Sequence, residues 1–383
     1  MSGKKFCWAA LGLALCASAQ AAPQKLALAL RDKSFSVYSM EFSADGEQVC
    51  IAGVDHDDLG SSTGRLISID RGRNVIRWQK TFPVPDGYAG LFPVQCLPTN
   101  DRVYLLANVD TKSSPPITQT LTYVYSFDAQ GIQLARRRLV SPARSQYGYA
   151  MDVTADGIKV AGYLKNEDQD FEYYSVYTTV LNLALQVQGE PVIRKTGAYL
   201  SGSGSRVVGD SLYAAGVFAP AKIAKDQVID DFAASRIRLA GGYAWSVHPQ
   251  LGARPAVSAG VAADGTIHVL RNEGRSTTLL TVPPDGKPLP PRTYSSRYCD
   301  TRAIAGYGKG LIALRETCDD NARRATTALL EIDPASGKET ELKWVDDQVV
   351  GVATSGRLWS AIAKNPAGKL FFYSSEKGFL YAQ

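Results

Sequence analysis

Short runs of alternating or β-branched apolar residues, each entered through a polar turn rich in Asp and Gly, recur along the whole chain. Five are close relatives: SADGEQVCIAGV (43–54), TNDRVYLLANV (99–109), TADGIKVAGYL (154–164), VGDSLYAAGVF (208–218) and AADGTIHVLRN (262–272). Their aspartates Asp45, Asp101, Asp156, Asp210 and Asp264 stand 56, 55, 54 and 54 residues apart. Two looser members, GYGKGLIALRE (306–316) and TSGRLWSAIAK (354–364), put turns near Lys309 and Ser355, after steps of 45 and 46. Asp and Gly tolerate the positive φ of a tight turn, and the period-2 pattern that follows is that of a half-buried strand. A second apolar run precedes each turn, as in VYSMEF before Asp45 and YAMDV before Asp156, so each unit opens with a β-hairpin.

A second hairpin completes each unit, for example RLISIDRGRNVIRWQK (65–80), TYVYSFDAQGIQLARRRL (122–139), STTLLTVPPDGKPL (276–289) and TALLEIDPASGKETELKW (327–344). Four antiparallel strands every 50 residues or so is the blade signature of a β-propeller. Two β-sandwich domains also carry many short strands, but they do not require one hairpin pattern at near-constant spacing over the chain. No stretch beyond the N-terminus keeps a helical period. The expected fold is all-β, a seven-bladed β-propeller of four-stranded antiparallel blades forming one domain over residues 22–383. Closing the ring removes two sheet edges, and either KLALALR (25–31) or FLYAQ (379–383) can supply the last outer strand.

The second-hairpin segments IDPASGKETELKW and IDRGRNVIRWQK resemble the strand-turn-strand element of quinoprotein-type and other bacterial exported propellers, where an Asp, a Gly-bearing turn and a Trp recur. The likeness extends to quinoprotein-like and WD-repeat-like rings at the level of the fold, and to motif level only through Trp78 and Trp344. It implies an exported propeller. The adjacent cysteine pair and cofactor residues of true quinoprotein dehydrogenases have no match, so no cofactor is expected.

The N-terminus, MSGKKFCWAALGLALCASAQAAPQK, has two lysines, an apolar run from Phe6 to Ala17 and an Ala19-Gln20-Ala21 cleavage site, the layout of a secretory signal over residues 1–21. Leu13-Ala14-Leu15-Cys16 approaches a lipid-attachment box, but Leu15 is bulky where a small residue is wanted. The apolar run is short for a membrane span and nothing later replaces it, so the expected location is periplasmic or secreted. Without Lys4 and Lys5, 40 basic residues face 37 acidic ones, a net +3. That balance lacks the basic stripe of a nucleic-acid protein.

Four cysteines remain after cleavage, and an oxidising compartment favours their pairing. Cys299 and Cys318 are symmetric about one predicted turn. Cys50, five residues after Asp45, and Cys96, five before Asp101, should stand at equal height on neighbouring blades. The expected disulfides are Cys299–Cys318 and Cys50–Cys96.

Function in a propeller is expected in the loops between second and third strands and between blades, which share one face. The first such loop holds Asp55, His56, Asp57 and Asp58; the third Lys165, Glu167, Asp168, Asp170 and Glu172; the fourth Lys222, Lys225, Asp226, Asp230 and Asp231. These count −3, −3 and −1, which predicts an acidic sector. DHDDLG offers hard oxygen ligands, yet Leu59 and Leu66 occupy places where an EF-hand loop needs oxygen, so no metal is expected. Tyr38, Tyr88, Tyr147, Tyr149, Tyr199, Tyr294 and Tyr298 precede inner strands, where they either edge the channel mouth beside Arg144, Arg297 and Arg302 or pack between blades.

Only three histidines give nucleophilic catalysis little support: His268 falls in a predicted inner strand and His248 in a connector. The expectation is a monomeric, non-enzymatic propeller binding a protein or peptide through Asp55, His56, Asp57, Asp58, Tyr88, Tyr149, Asp168, Asp170, Tyr199 and Tyr298. It would serve as an assembly factor, an inhibitor or a toxin-immunity protein. The alternative is a hydrolase or lyase of sugars or lactones using Asp55, Asp57 or Asp170.

Overall fold

The computed structural model describes residues 24–31, 35–56, 62–82, 84, 86–111, 119–139, 142–200, 204–251, 257–307, 310–318, 327–342, 348–356 and 358–375. The expected signal at 1–21, Asp57, Asp58, Trp344 and the segment 379–383 lie outside them. Among the described residues there is no helix, and so none long and apolar enough to cross a membrane.

The described residues form thirty strands in seven antiparallel sheets. The innermost strands of blades 1 to 7 are Phe35–Phe42, Tyr88–Pro98, Ser145–Thr154, Gly204–Val208, Val257–Val261, Tyr298–Tyr307 and Gln348–Ser355. Each touches the next, and the seventh touches the first, so the sheets form a closed ring around a central axis. Gln24–Arg31 pairs antiparallel with Lys369–Ser374 as the outermost strand of blade 7. Of the two candidate closing segments, the N-terminal one is therefore seen in the role. Its pairing with a strand more than 300 residues away ties the chain ends together and covers that sheet edge.

Blades 3 and 4 depart from four strands. The outer strand of blade 3 is only Val192–Arg194, and its third strand, Phe171–Leu181, also takes up Lys222–Ala224 from the long loop of blade 4. Blade 4 gains Ala198–Tyr199, which pairs beyond Gly204–Val208 on the same second strand.

Apolar clusters fill the seams between blades, which explains the alternating pattern: one set of strand residues faces each neighbouring blade. An aromatic clasp repeats outside this core. Trp78, on the outer strand of blade 1, lies over Gly131 in the third-to-fourth-strand turn of blade 2; a Cβ at Gly131 would meet Trp78 Cδ2 at 2.6 Å. Trp245 covers Gly286 in blade 5 the same way, and its indole donates to the Pro284 carbonyl at 2.9 Å. Both glycines have positive φ, +78° and +79°, so turn geometry and ring contact together demand them. Tyr294 over Gly337 is the third instance.

Cys299 and Cys318 are bonded, with Cα atoms 4.9 Å apart. The first two strands of blade 6 shift register between Tyr298 and Asp300, which leaves Cys299 as a bulge residue facing a partner just past the strand end. The expected Cys50–Cys96 bond is not formed. Both are free thiols buried in the seam of blades 1 and 2; they do meet, and burial, then hydrogen bonding to Cys96, pushes the Cys50 thiol well above its usual range.

Candidate functional site

A channel of about 460 Å³ runs through the ring, lined by the inner strands of all seven blades. Several of these strands carry a β-bulge at matching height, and the extra residue is Tyr38, Val94, Tyr149 or Arg302. All four line the channel, consistent with a bulge re-aiming one side chain out of the alternation. Tyr38 is 47% exposed there. Toward the first-to-second-strand turns, Glu41 of blade 1 reaches Arg206 of blade 4 at 3.7 Å, and Gln95 Nε2 lies 3.5 Å from Glu41 while its Oε1 accepts the Met151 N–H at 2.7 Å. Glu41, Gln95 and Arg206 were not singled out from sequence. Their signal was a polar residue inside otherwise apolar inner strands, VYSMEF, PVQCL and SRVV.

The tyrosines divide. Tyr199 and Tyr298 are 1% and 2% exposed and cannot edge a binding surface. Their rings turn into the seams, and the Tyr199 hydroxyl donates to Ser235 at 2.5 Å. Tyr149 is half-buried, its hydroxyl donating to the Tyr199 carbonyl at 2.9 Å and accepting the Tyr199 N–H at 2.6 Å. Burial pushes its phenol well up. Tyr88, also half-buried, shares a 2.8 Å hydroxyl contact with Tyr123.

Three of the loop carboxylates pair with cations. Asp55 meets Arg65 at 2.5 Å, Glu167 meets Arg144 at 2.7 Å and Glu172 meets Lys165 at 2.5 Å. Arg65 and Arg144, which the residue counts left out, each offset one charge of the acidic sector, because the strands that carry the acids also present bases opposite them. His56 ends its strand. The Tyr173 hydroxyl at 2.7 Å, then the Phe171 N–H, hold the Asp168 carboxyl below its usual range. Asp170 is exposed at the tip of this hairpin, and its carbonyl accepts the Lys225 N–H at 3.0 Å. Among the described residues no three His, Cys, Asp or Glu side chains gather as a metal site. His268 is buried in the second strand of blade 5, not an inner one, beside Thr281 Oγ1 at 3.2 Å.

Above blades 3 and 4, rings follow one another. Tyr147 stacks on Tyr163 at 4.4 Å, Tyr163 lies 5.2 Å from Tyr149, Tyr149 6.4 Å from Tyr199, and Tyr199 5.5 Å from Phe218. At the hairpin tip, Lys222 Nζ sits 3.8 Å from the Phe171 ring centre and 5.7 Å from that of Tyr173, both half-exposed.

No family model matches the chain, and no curated protein matches it in sequence. Among solved structures, the acylaminoacyl peptidase of Pyrococcus horikoshii aligns at 8% identity and TM-score 0.47, over 87% of this chain and 50% of that one. The chain thus spans about half the length of that peptidase. The β-propeller domain of the Trilobed protease from Pyrococcus furiosus aligns at 8% identity and TM-score 0.49, over 91% and 95%. The WD40 domain of SCAP from fission yeast aligns at 9% and 0.45, over 92% and 98%. The propeller assignment rests on the strand order itself.

Proposed function

We propose that the protein is exported, with residues 1–21 as a cleaved signal and 22–383 as one propeller domain, and that it binds a protein or peptide on the loop-bearing face above blades 3 and 4. One observation carries this reading. The loop of blade 4 is spliced onto the hairpin of blade 3 as an extra strand, and this braced platform presents Phe171 and Tyr173 under Lys222. Rigid rings with a fixed cation offer contact area at low entropy cost. The Cys299–Cys318 bond fits an oxidising compartment. A role as assembly factor, inhibitor or immunity protein belongs to the same proposal.

A photo-crosslinking residue in place of Tyr173 tests it, with one in place of Ile132, 58% exposed on the opposite face, as control. The expected result is a discrete adduct with a periplasmic protein at position 173 alone, lost when Phe171→Ala and Lys222→Ala are added. Equal crosslinking at both positions, or none at 173, overturns the proposal.

A further inference from the structure

On the outer strand of blade 4, Tyr243–Val247, and just beyond it, three side chains stand in line. Ser246 Oγ lies 3.2 Å from His248 Nε2, and His248 Nδ1 lies 2.8 Å from Asp231 Oδ2. Ser246 and His248 are two residues apart at a strand end, where alternation puts both on one face. Asp231 ends the blade 4 loop immediately before the third strand, Phe232–Arg238, and its carbonyl is pinned by the Phe218 N–H at 2.8 Å. The Phe218 ring meets the imidazole edge-on, 5.4 Å away at 85°.

Hydrogen-bond polarity in this row runs one way. The Tyr199 hydroxyl donates to Ser235 Oγ, and Ser235 donates to Ser246 Oγ at 2.9 Å. Burial holds Tyr199 in its protonated, donating form. Ser246 therefore has its own proton free for Nε2, and Nδ1 keeps a proton for the carboxylate. A nucleophile within hydrogen-bond reach of a base that is itself oriented by a third group is the arrangement that activates a serine, on whatever fold it occurs. Ser246 is exposed, and the His248 and Asp231 side chains are 43% and 51% exposed, so a substrate carbonyl can reach Oγ.

We propose that Ser246, His248 and Asp231 form an acyl-transfer site for carboxylic esters, with Phe218 flanking an apolar or aryl group. Ser246 Oγ bonds to the carbonyl carbon as its proton passes to Nε2. The ester C–O bond breaks and the alcohol leaves with that proton. Water, deprotonated by Nε2, then cleaves the serine ester, releasing the acid and restoring the hydroxyl. Asp231 is a positioning residue.

The test uses the purified protein, an alkyl fluorophosphonate probe and p-nitrophenyl acetate. The expected result is one phosphonyl adduct, mapped by peptide mass spectrometry to Ser246 and absent in Ser246→Ala. Labelling and ester hydrolysis should slow about a hundredfold or more in His248→Gln. Asp231→Asn should slow both, with Asp231→Glu recovering part of the rate; equal loss in the two variants removes Asp231 from the site. Melting temperatures should match wild type, because the three residues lie at the surface. No adduct at Ser246, wild-type labelling in His248→Gln, or the same adduct in urea-unfolded protein overturns the proposal.

Discussion

Between blades 1 and 2 the contact is apolar: Cys50, Leu66, Phe82, Cys96, Leu105, Tyr125 and Phe127 close on one another, with Trp78 along the edge. Between blades 5 and 6 the largest wholly buried side chain is a cation. Arg315 donates to Asn272 Oδ1 at 2.5 Å, Thr277 Oγ1 at 2.8 Å, the Tyr298 carbonyl at 2.9 Å and Ser296 Oγ at 3.2 Å, and pairs with Glu339. Glu339 also accepts from Ser296 at 2.7 Å and Tyr294 at 3.2 Å. Both seams exclude water, but they fail differently. An apolar seam loses stability in proportion to the atoms removed. The polar seam loses it in one step, since each missing partner leaves a buried group without a hydrogen bond.

The largest effect should therefore come from Arg315→Ala, which strands Glu339 and the Asn272–Thr277 pair and should cost about 3–5 kcal/mol in urea unfolding. Adding Glu339→Gln should cost clearly less than the sum of the two single changes, and an additive pair would dissolve the contrast between seams.

A second polar group in the same half of the ring should show as pH dependence. Burial pushes the His268 imidazole down to about 4, from an ordinary value near 6.5. Between these values the unfolded chain binds the proton more readily, so stability is complete above about pH 6.5 and declines as pH falls toward 4, by about 3 kcal/mol. Urea midpoints at pH 7 and 4.5 measure the loss, and His268→Gln should flatten the decline in that window.

On the apolar side, Gly131→Ala forces a Cβ against Trp78 at positive φ and should cost about 2 kcal/mol, read as a lowered melting temperature. A larger cost than that of Arg315→Ala would reverse the order of the two seams.

Much of this architecture is written locally. The Asp-Gly turns at Asp45, Asp156 and Asp264, the alternation after them and the near-constant spacing specify hairpins and their number, because a turn and its flanking strands are set by neighbours in the chain. The Cys299–Cys318 pair was legible for the same reason, lying across one hairpin. The candidate sites were far less so. Asp55 counts toward an acidic loop until Arg65 is seen beside it, and whether Tyr199 and Tyr298 edge the channel mouth or pack between blades stays open until the pleat turns them inward. Asp231 reads only as one of several acids in the blade 4 loop, and Ser246 carries no local mark.

Strand pairing within a blade depends on residues a few positions apart, and it is this that the order of amino acids alone establishes, down to seven repeats of one hairpin pair. That Cys50 and Cys96 meet as thiols and that Arg315 is buried against Asn272 and Thr277 follow from how whole sheets dock, while the closing segment and the alignment of Ser246, His248 and Asp231 follow from how distant stretches of chain join one sheet. Docking brings together residues tens to hundreds of positions apart, and no periodicity along the chain records which of them will touch.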